Sequence, residues 1–181
     1  MTRWRAPRPA PCAPVQFLID GYNLLFAIGY ASKRTPQPQL DPARRRLLDF
    51  LAESAPVKAK AARLRVVFDA MHGPFPSGPH SHRGVTVEFA FRSTADDAIE
   101  DLLAADPTPA KLVVVTNDLR LHESARRAHA KAWPVAEFLD YLDTFTEKAR
   151  PADERAAPEK PTGPGSSAER AEWLRAFGGA G

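Results

Sequence analysis

The sequence predicts an α/β fold: a mostly parallel five-stranded sheet of order 3-2-1-4-5, covered by helices on both faces. Three observations carry this. Candidate strands and helices alternate along the chain, which calls for parallel strands joined by helical crossovers. The runs VQFLID at 15–20, LRVVFD at 64–69 and KLVVVT at 111–116 are almost continuously apolar, as strands buried on both faces are. Two other segments carry edge signals: Val85–Phe91 alternates apolar and polar residues, and Ala132–Val135 contains Pro134, which cannot donate to a ladder.

The elements follow in order. A strand is expected at Val15–Asp20, then a short helix from Tyr22 to about Ile28 and a Pro-rich loop. Asp41 is placed to cap a helix with Pro42 at its first position, continued by Arg44, Leu47, Leu48 and Leu51 at helical spacing. The next strand is Arg65–Asp69. Met71–Gly84, rich in Pro and Gly and carrying three histidines, is expected to be a mobile loop near the substrate. Thr94 opens a helix that runs to about Ala105; the strand at Leu112–Thr116, a helix from Asp118 to about Ala130, the short strand Ala132–Val135 and a helix from Glu137 to about Lys148 complete the domain.

The chain's 181 residues suit one domain with tails, since single cores commonly take roughly 100 to 200 residues. We divide it into a basic Pro-rich leader at 1–14, a domain at 15–149, a Pro-rich linker at 150–165, and a C-terminal amphipathic helix and tail at 166–181. In that last segment Ser166 and Glu169 form a capping box ahead of a Trp173, Leu174 and Phe177 stripe. The lone Cys12 excludes an internal disulfide and suits a reducing cytoplasm. No run is long enough to span a membrane, and the leader lacks the apolar stretch of a signal peptide.

Net charge is only +3, so local clusters say more than the whole-molecule field about an anionic partner. Three basic groups, Arg44–Arg46, Lys58–Arg65 and Arg120 through Arg127 to Lys131, fall on segments read as helices or their ends, and each by itself is read first as a solvated face.

Three strands end in acidic residues, Asp20, Asp69 and Asp118, on the carboxyl edge where open α/β sheets bind ligands. Singly, Asp20 or Asp118 is no more than a helix cap. In STADDAIEDLLA the residues Ile99, Leu102 and Leu103 define the buried face; Asp96 projects toward it, Glu100 lies to its side, and Asp97 and Asp101 point away. Asp97 stands where the partner of Thr94 in a capping box stands, so it is left out of the metal-binding group. An inward Asp96 beside other strand-end carboxylates suffers repulsion and desolvation unless a cation neutralises the group.

All-oxygen donors suit one or two Mg2+ or Mn2+ ions. The irregularly spaced His72, His80 and His82 fit RNA contact or solvent exposure better than zinc. Asp20, Asp96 and Asp118 are therefore the candidate catalytic and metal-binding residues, with Asp20 as the bridging ligand. Glu100 stands behind them or acts through water, and Asn23 positions Asp20 or a scissile phosphate.

In this order DGYNLLF, VVFDA, TADDAIEDL and VVVTNDLRLHESARRAHA resemble the NYN domain of the YacP type, over about Val15–Leu142. That group lies in the PIN-like nuclease superfamily and includes a bacterial ribosome-associated mRNA endonuclease. The resemblance implies a PIN-like three-layer sandwich, Mg2+ or Mn2+ dependence, RNA as substrate, and action on messages engaged by the ribosome. The family's acidic positions fall on Asp20, Asp96 and Asp118, with Asp69 at a supporting position. Family members often carry Ser at the position of Asn117, another supporting residue, and Glu at that of Asp97. With RNA implied, Arg83, Arg92, Arg120 and Arg126 are the candidate RNA contacts. Two other functions stay open: a non-catalytic RNA-binding module on the same fold, and a small phosphohydrolase. Against the latter, no second Asp stands two positions after Asp20.

Overall fold

A computed structural model describes residues 14–69, 78–91 and 93–149. The leader before residue 14, the linker and the C-terminal helix expected at 166–177 lie outside the described residues, as do His72 and Arg92. The chain divides into units Met1–Thr146 and Glu147–Gly181, and the architecture below is that of the first.

Six strands form one sheet. They are β1 (Val15–Asp20), β2 (Ala62–Asp69), β3 (His80–His82), β4 (Val85–Ala90), β5 (Leu112–Val115) and β6 (Lys131–Trp133), in the order β3-β4-β2-β1-β5-β6. All neighbours are parallel except β3 and β4. The helices are α1 (Gly21–Ala27), α2 (Gln37–Glu53), α3 (Ala55–Lys58), α4 (Ala95–Ala105), α5 (Leu119–Arg127) and α6 (Val135–Ala149).

The five expected strands keep their expected order, and a sixth is added outside β4. Val85–Ala90 is thus not a sheet edge, because His80–His82 pairs along it antiparallel. The connecting turn places both Arg83 (φ 49°) and Gly84 (φ 92°) in the left-handed region, the two-residue hairpin turn whose twist matches its strands. The Gly in the second turn position was the available signal, hidden by the prolines before it. The hairpin is latched to α2: His82 Nε2 lies 2.9 Å from Asp49 Oδ1, and the Arg83 guanidinium pairs with Asp49 and Glu53.

Two other boundaries moved. α2 begins at Gln37, ahead of the expected Asp41 cap, because the buried stripe of Leu47 and Leu51 extends back to Leu40 and Ala43. Pro38 falls in the first turn, where its missing N–H costs nothing, and Pro42 lies inside the helix; Asp41 pairs instead with Arg44. Val135 leaves the last strand to start α6, since Pro134 ends the ladder. The Lys58–Arg65 group is not a helical face: Arg63 and Arg65 lie on β2, and Lys58 pairs with Glu53 at 2.6 Å.

Strand alternation sends side chains to two cores. Phe17, Ile19, Leu64, Val66, Phe68, Val85, Val87, Val113 and Val115 pack with residues of α1, α2 and α6. Leu18, Val67, Ala90 and Val114 pack under α4 and α5 with Ile99, Leu103, Leu121 and Ala125. The result is a three-layer sandwich. By the same alternation Asp20 and Thr116 share the α4 and α5 side at the carboxyl ends of β1 and β5.

Gly21 is fixed by close approach. A Cβ there would stand 2.4 Å from Phe68 Cε1, so α1 can lie this close to β2 only with glycine at its first position. Gly21→Ala is expected to lower the free energy of unfolding by about 1–3 kcal/mol, measured by urea denaturation.

Candidate active site at the carboxyl edge of the sheet

The site is organised around Asp20, which ends β1 and caps α1. Its Oδ1 accepts from the Asn23 backbone N–H at 3.0 Å, and its Oδ2 accepts from the Thr116 hydroxyl at 3.4 Å. Thr116 in turn accepts from the Asp118 backbone N–H at 3.1 Å, so its one hydroxyl proton is directed to Asp20. The Thr116 carbonyl takes His122 Nε2 at 2.8 Å, which makes that ring nitrogen the protonated one. Asp118 caps α5, its Oδ1 accepting from the Arg120 N–H at 2.7 Å.

The DGYN segment thereby acquires a physical account. Asp20 caps, Gly21 permits the approach to Phe68, and Tyr22 lies edge-on to Phe68 with centroids 5.4 Å apart. The Asn23 side-chain oxygen accepts from the Asn117 N–H at 3.0 Å, and the Asn117 side-chain oxygen accepts from the Val135 N–H at 3.0 Å. Asn23 and Asn117 therefore tie three loops together at the sheet edge; it is the Asn23 backbone, not its amide, that holds Asp20.

The electrostatics set Asp20 apart. It is only 7% exposed, and its pKa is pushed from 3.8 up to about 6, first by burial and then by the charges of Asp96 and Asp118; the Asn23 and Thr116 hydrogen bonds offset part of this. Asp96, half-buried in the first turn of α4, is also raised, by desolvation first and then by Asp118, with Arg120 opposing. Among the described residues no cation forms an ion pair with Asp20, Asp96 or Asp118.

The neighbouring acids Asp97 and Glu100 are neutralised. Thr94 and Asp97 form the expected capping box, and Asp97 also takes the Arg120 guanidinium at 2.8 Å. Glu100 accepts from the Ser124 hydroxyl at 2.6 Å and from Arg120 at 3.0 Å, and these bonds hold its carboxyl below the usual range. Asp69 ends β2 and lines a pocket beside Tyr22.

The candidate RNA contacts divide likewise. Arg120 is committed to Asp97 and Glu100, and Arg83 to Asp49 and Glu53, so neither is an unpaired cation. Arg126 is exposed and pairs with Glu123 within its own helix. Arg44 is buried: its guanidinium donates to the Tyr22 hydroxyl and pairs with Asp41, among the rings of Tyr22, Phe68 and Phe89.

The residue that sequence reasoning missed is Thr116. The available signal was a polar residue closing an apolar strand, one position before Asn117 and two before Asp118.

The donor set suits a hard divalent cation: carboxylate oxygens, mutually repelling, without an ion-paired protein cation among the described residues. Among the described residues no three Asp, Glu, His or Cys side chains meet as a ready-made ion cage. Asp20 is pinned by two hydrogen bonds and Asp118 by its cap to α5, while both Asp96 and Asp118 are only half-buried.

The sheet order and acidic edge define a PIN-like α/β fold of the nuclease type. The sequence matches the family model of the YacP-like NYN domain over residues 17–172. The chain belongs to that family. Among solved structures it is similar to Rae1 (YacP) from Bacillus subtilis, at 26% identity and a TM-score of 0.58, covering 90% of this chain and 91% of that one. It is likewise similar to a tryptophan-to-leucine mutant of that protein, at 26% identity and a TM-score of 0.57, covering 74% of this chain and 77% of that one. No curated protein matches the chain. Among the described residues no helix is long and apolar enough to cross a membrane.

The raised pKa of Asp20 gives stability a definite pH dependence. The folded state holds the Asp20 proton more tightly than the unfolded chain, so in metal-free protein this contribution falls as pH rises from 3.8 to about 6. Asp20→Asn keeps a capping oxygen for the Asn23 N–H while removing the charge. It is expected to raise the free energy of unfolding by on the order of 2 kcal/mol at about pH 7, a gain that disappears toward about pH 4, measured by urea denaturation in chelator.

Proposed function

We propose that this protein is a metal-dependent endoribonuclease that hydrolyses phosphodiester bonds of single-stranded RNA, messenger RNA among them, with Asp20, Asp96 and Asp118 holding one or two Mg2+ or Mn2+ ions. Membership of a nuclease-type family supports the reaction class. The observation that carries the residue assignment is the buried Asp20 carboxylate, raised by two acidic neighbours and left without a cation among the described residues. Such a group is costly to keep unless its task is to bind positive charge.

A bound divalent ion would supply an activated water and stabilise the leaving oxygen. The chain's own residues have separate duties. Thr116 and the Asn23 N–H fix the direction of the Asp20 oxygens. Asn23 and Asn117 fix the loops that carry Asp20 and Asp118 relative to one another. Arg120 binds Asp97 and Glu100, so that these two do not compete for the ion. A role on messages engaged by the ribosome, in the cytoplasm, belongs to the same proposal.

The test is cleavage of a labelled single-stranded RNA with Mn2+ or Mg2+. Asp20→Asn is expected to lower kcat by a factor on the order of 10^3, whereas Asp97→Asn retains activity within about twofold because that carboxylate serves only a cap and an exposed ion pair. Full activity of Asp20→Asn, or of the wild type in chelator, would sink the mechanism. RNA binding without metal-dependent product would mark a binding module, and hydrolysis confined to small phosphomonoesters a phosphohydrolase.

Mn2+ binding must displace the proton from Asp20, so the rise in melting temperature produced by Mn2+ is expected to grow between about pH 5.5 and pH 7.5. A shift that is flat across this range would count against Asp20 as a ligand.

A further inference from the structure

Beside the acidic edge, on the side of α1 and α2, a pocket of about 270 Å³ is lined by Tyr22, Phe26, Lys33, Thr35, Gln37 and Asp69, with Ser32 and Leu40 completing it. It adjoins the site through the chain itself: Tyr22 follows Asp20 by two residues, and Asp69 ends the strand paired with β1. Among the described residues no hydrogen bond or ion pair links Lys33, Thr35 or Gln37 to the carboxylates described above.

Three features fit this pocket to a nucleobase. The rings of Tyr22 and Phe26 lie stacked, with centroids 5.7 Å apart and planes 24° apart, and both are half-buried, which presents an aromatic wall. The same lining includes the Gln37 amide, the Thr35 hydroxyl and the Asp69 carboxylate, groups that read the donors and acceptors of a base edge. Lys33, which lines the pocket, and the adjacent exposed Arg34 form no ion pair among the described residues, so their charges are open to phosphate.

The pocket is also built in advance. The Ser32 N–H donates to Thr35 Oγ1 at 2.8 Å and the Thr35 N–H to the Ser32 carbonyl at 2.9 Å, closing a turn that sets the loop between α1 and α2. The Tyr22 ring is fixed from behind by Phe68 and by the Arg44 guanidinium on its hydroxyl. A preset aromatic wall with polar groups in the same pocket captures an unstacked base at small ordering cost.

We infer that this pocket is a base-binding subsite that takes one nucleobase of single-stranded RNA, the nucleotide flanking the scissile phosphate. The inference rests on the nuclease reading for its substrate, and it adds what that reading lacks: a position at which base identity is felt. Duplex RNA is excluded by it, because a paired and stacked base cannot enter.

The test uses full-length Asp20→Asn protein, which binds without cutting, and a set of fluorescent RNA octamers carrying a single abasic ribonucleotide at each position in turn. Anisotropy is expected to show one position at which loss of the base weakens binding about tenfold. Phe26→Leu, which keeps apolar volume but removes the ring, is expected to abolish that sensitivity, with circular dichroism confirming the fold. Gln37→Ala, on an exposed first turn, is expected to flatten preference among the four bases at that position.

A scan with no sensitive position, or one unaltered by Phe26→Leu, overturns the subsite. The two readings fail separately. Metal-dependent cleavage by the wild type with a flat scan removes the subsite and leaves the nuclease; the expected scan from a wild type that never cleaves removes the nuclease and keeps the subsite. A variant that binds none of the octamers removes the subsite, and the nuclease is then judged on wild-type cleavage alone.

Discussion

The structure turns on one carboxylate held where water can scarcely reach it. Asp20 must end a central strand, cap the helix that follows and stay ionisable beside two other acids, and each demand constrains a neighbour. The tight passage from β1 into α1 requires glycine next in sequence, because Phe68 fills the space a side chain would need. The second carboxylate oxygen requires a donor from the end of β5, and Thr116, whose hydroxyl is anchored by the Asp118 N–H, supplies it. Stability is given up at this point, since burial and two acidic neighbours push the Asp20 pKa up to about 6.

Charge at the sheet edge is partitioned by a single arginine. Arg120 lies across Asp97 and Glu100 and satisfies both, which leaves Asp20, Asp96 and Asp118 as acids without an ion pair among the described residues. The helix-start geometry of α4 makes this division: Asp96 and Asp97 are adjacent in sequence yet diverge on the helix, one toward the strand ends and the other to the cap and the arginine. Two asparagines perform the mechanical counterpart, their side-chain oxygens accepting backbone N–H groups from the next loop and so joining the starts of α1, α5 and α6.

Around this edge the protein places aromatic rings in an orderly series. Phe89 stacks on Phe68, Phe68 meets Tyr22 edge-on, and Tyr22 stacks on Phe26, with Arg44 buried among them. A basic cluster at 44–46 looks like a solvated or anion-binding face in the sequence. In the fold its first member is an interior brace, and Arg46 lies 4.2 Å from the centre of the Tyr30 ring. Lys33 and Arg34, with no ion pair among the described residues, stand in the loop next to that aromatic wall.

What the sequence determined by itself was everything set by local period and local chemistry. The apolar runs placed β1, β2 and β5 at the centre, Pro134 ended the last strand, the Thr94 and Asp97 pair started α4, and helical projection turned Asp96 inward. Only the tertiary structure decided the rest, because it depends on partners far apart in the chain. The His80–His82 strand exists through pairing with β4 and anchoring to Asp49, and Thr116 matters because Asp20, distant in sequence, lies beside it. Arg83, Arg120 and Arg44 lost their apparent freedom to carboxylates and rings brought in by the fold. A side chain's charge is written in the sequence, but whether that charge is already matched is a matter of distance, and distance is fixed only when the sheet closes.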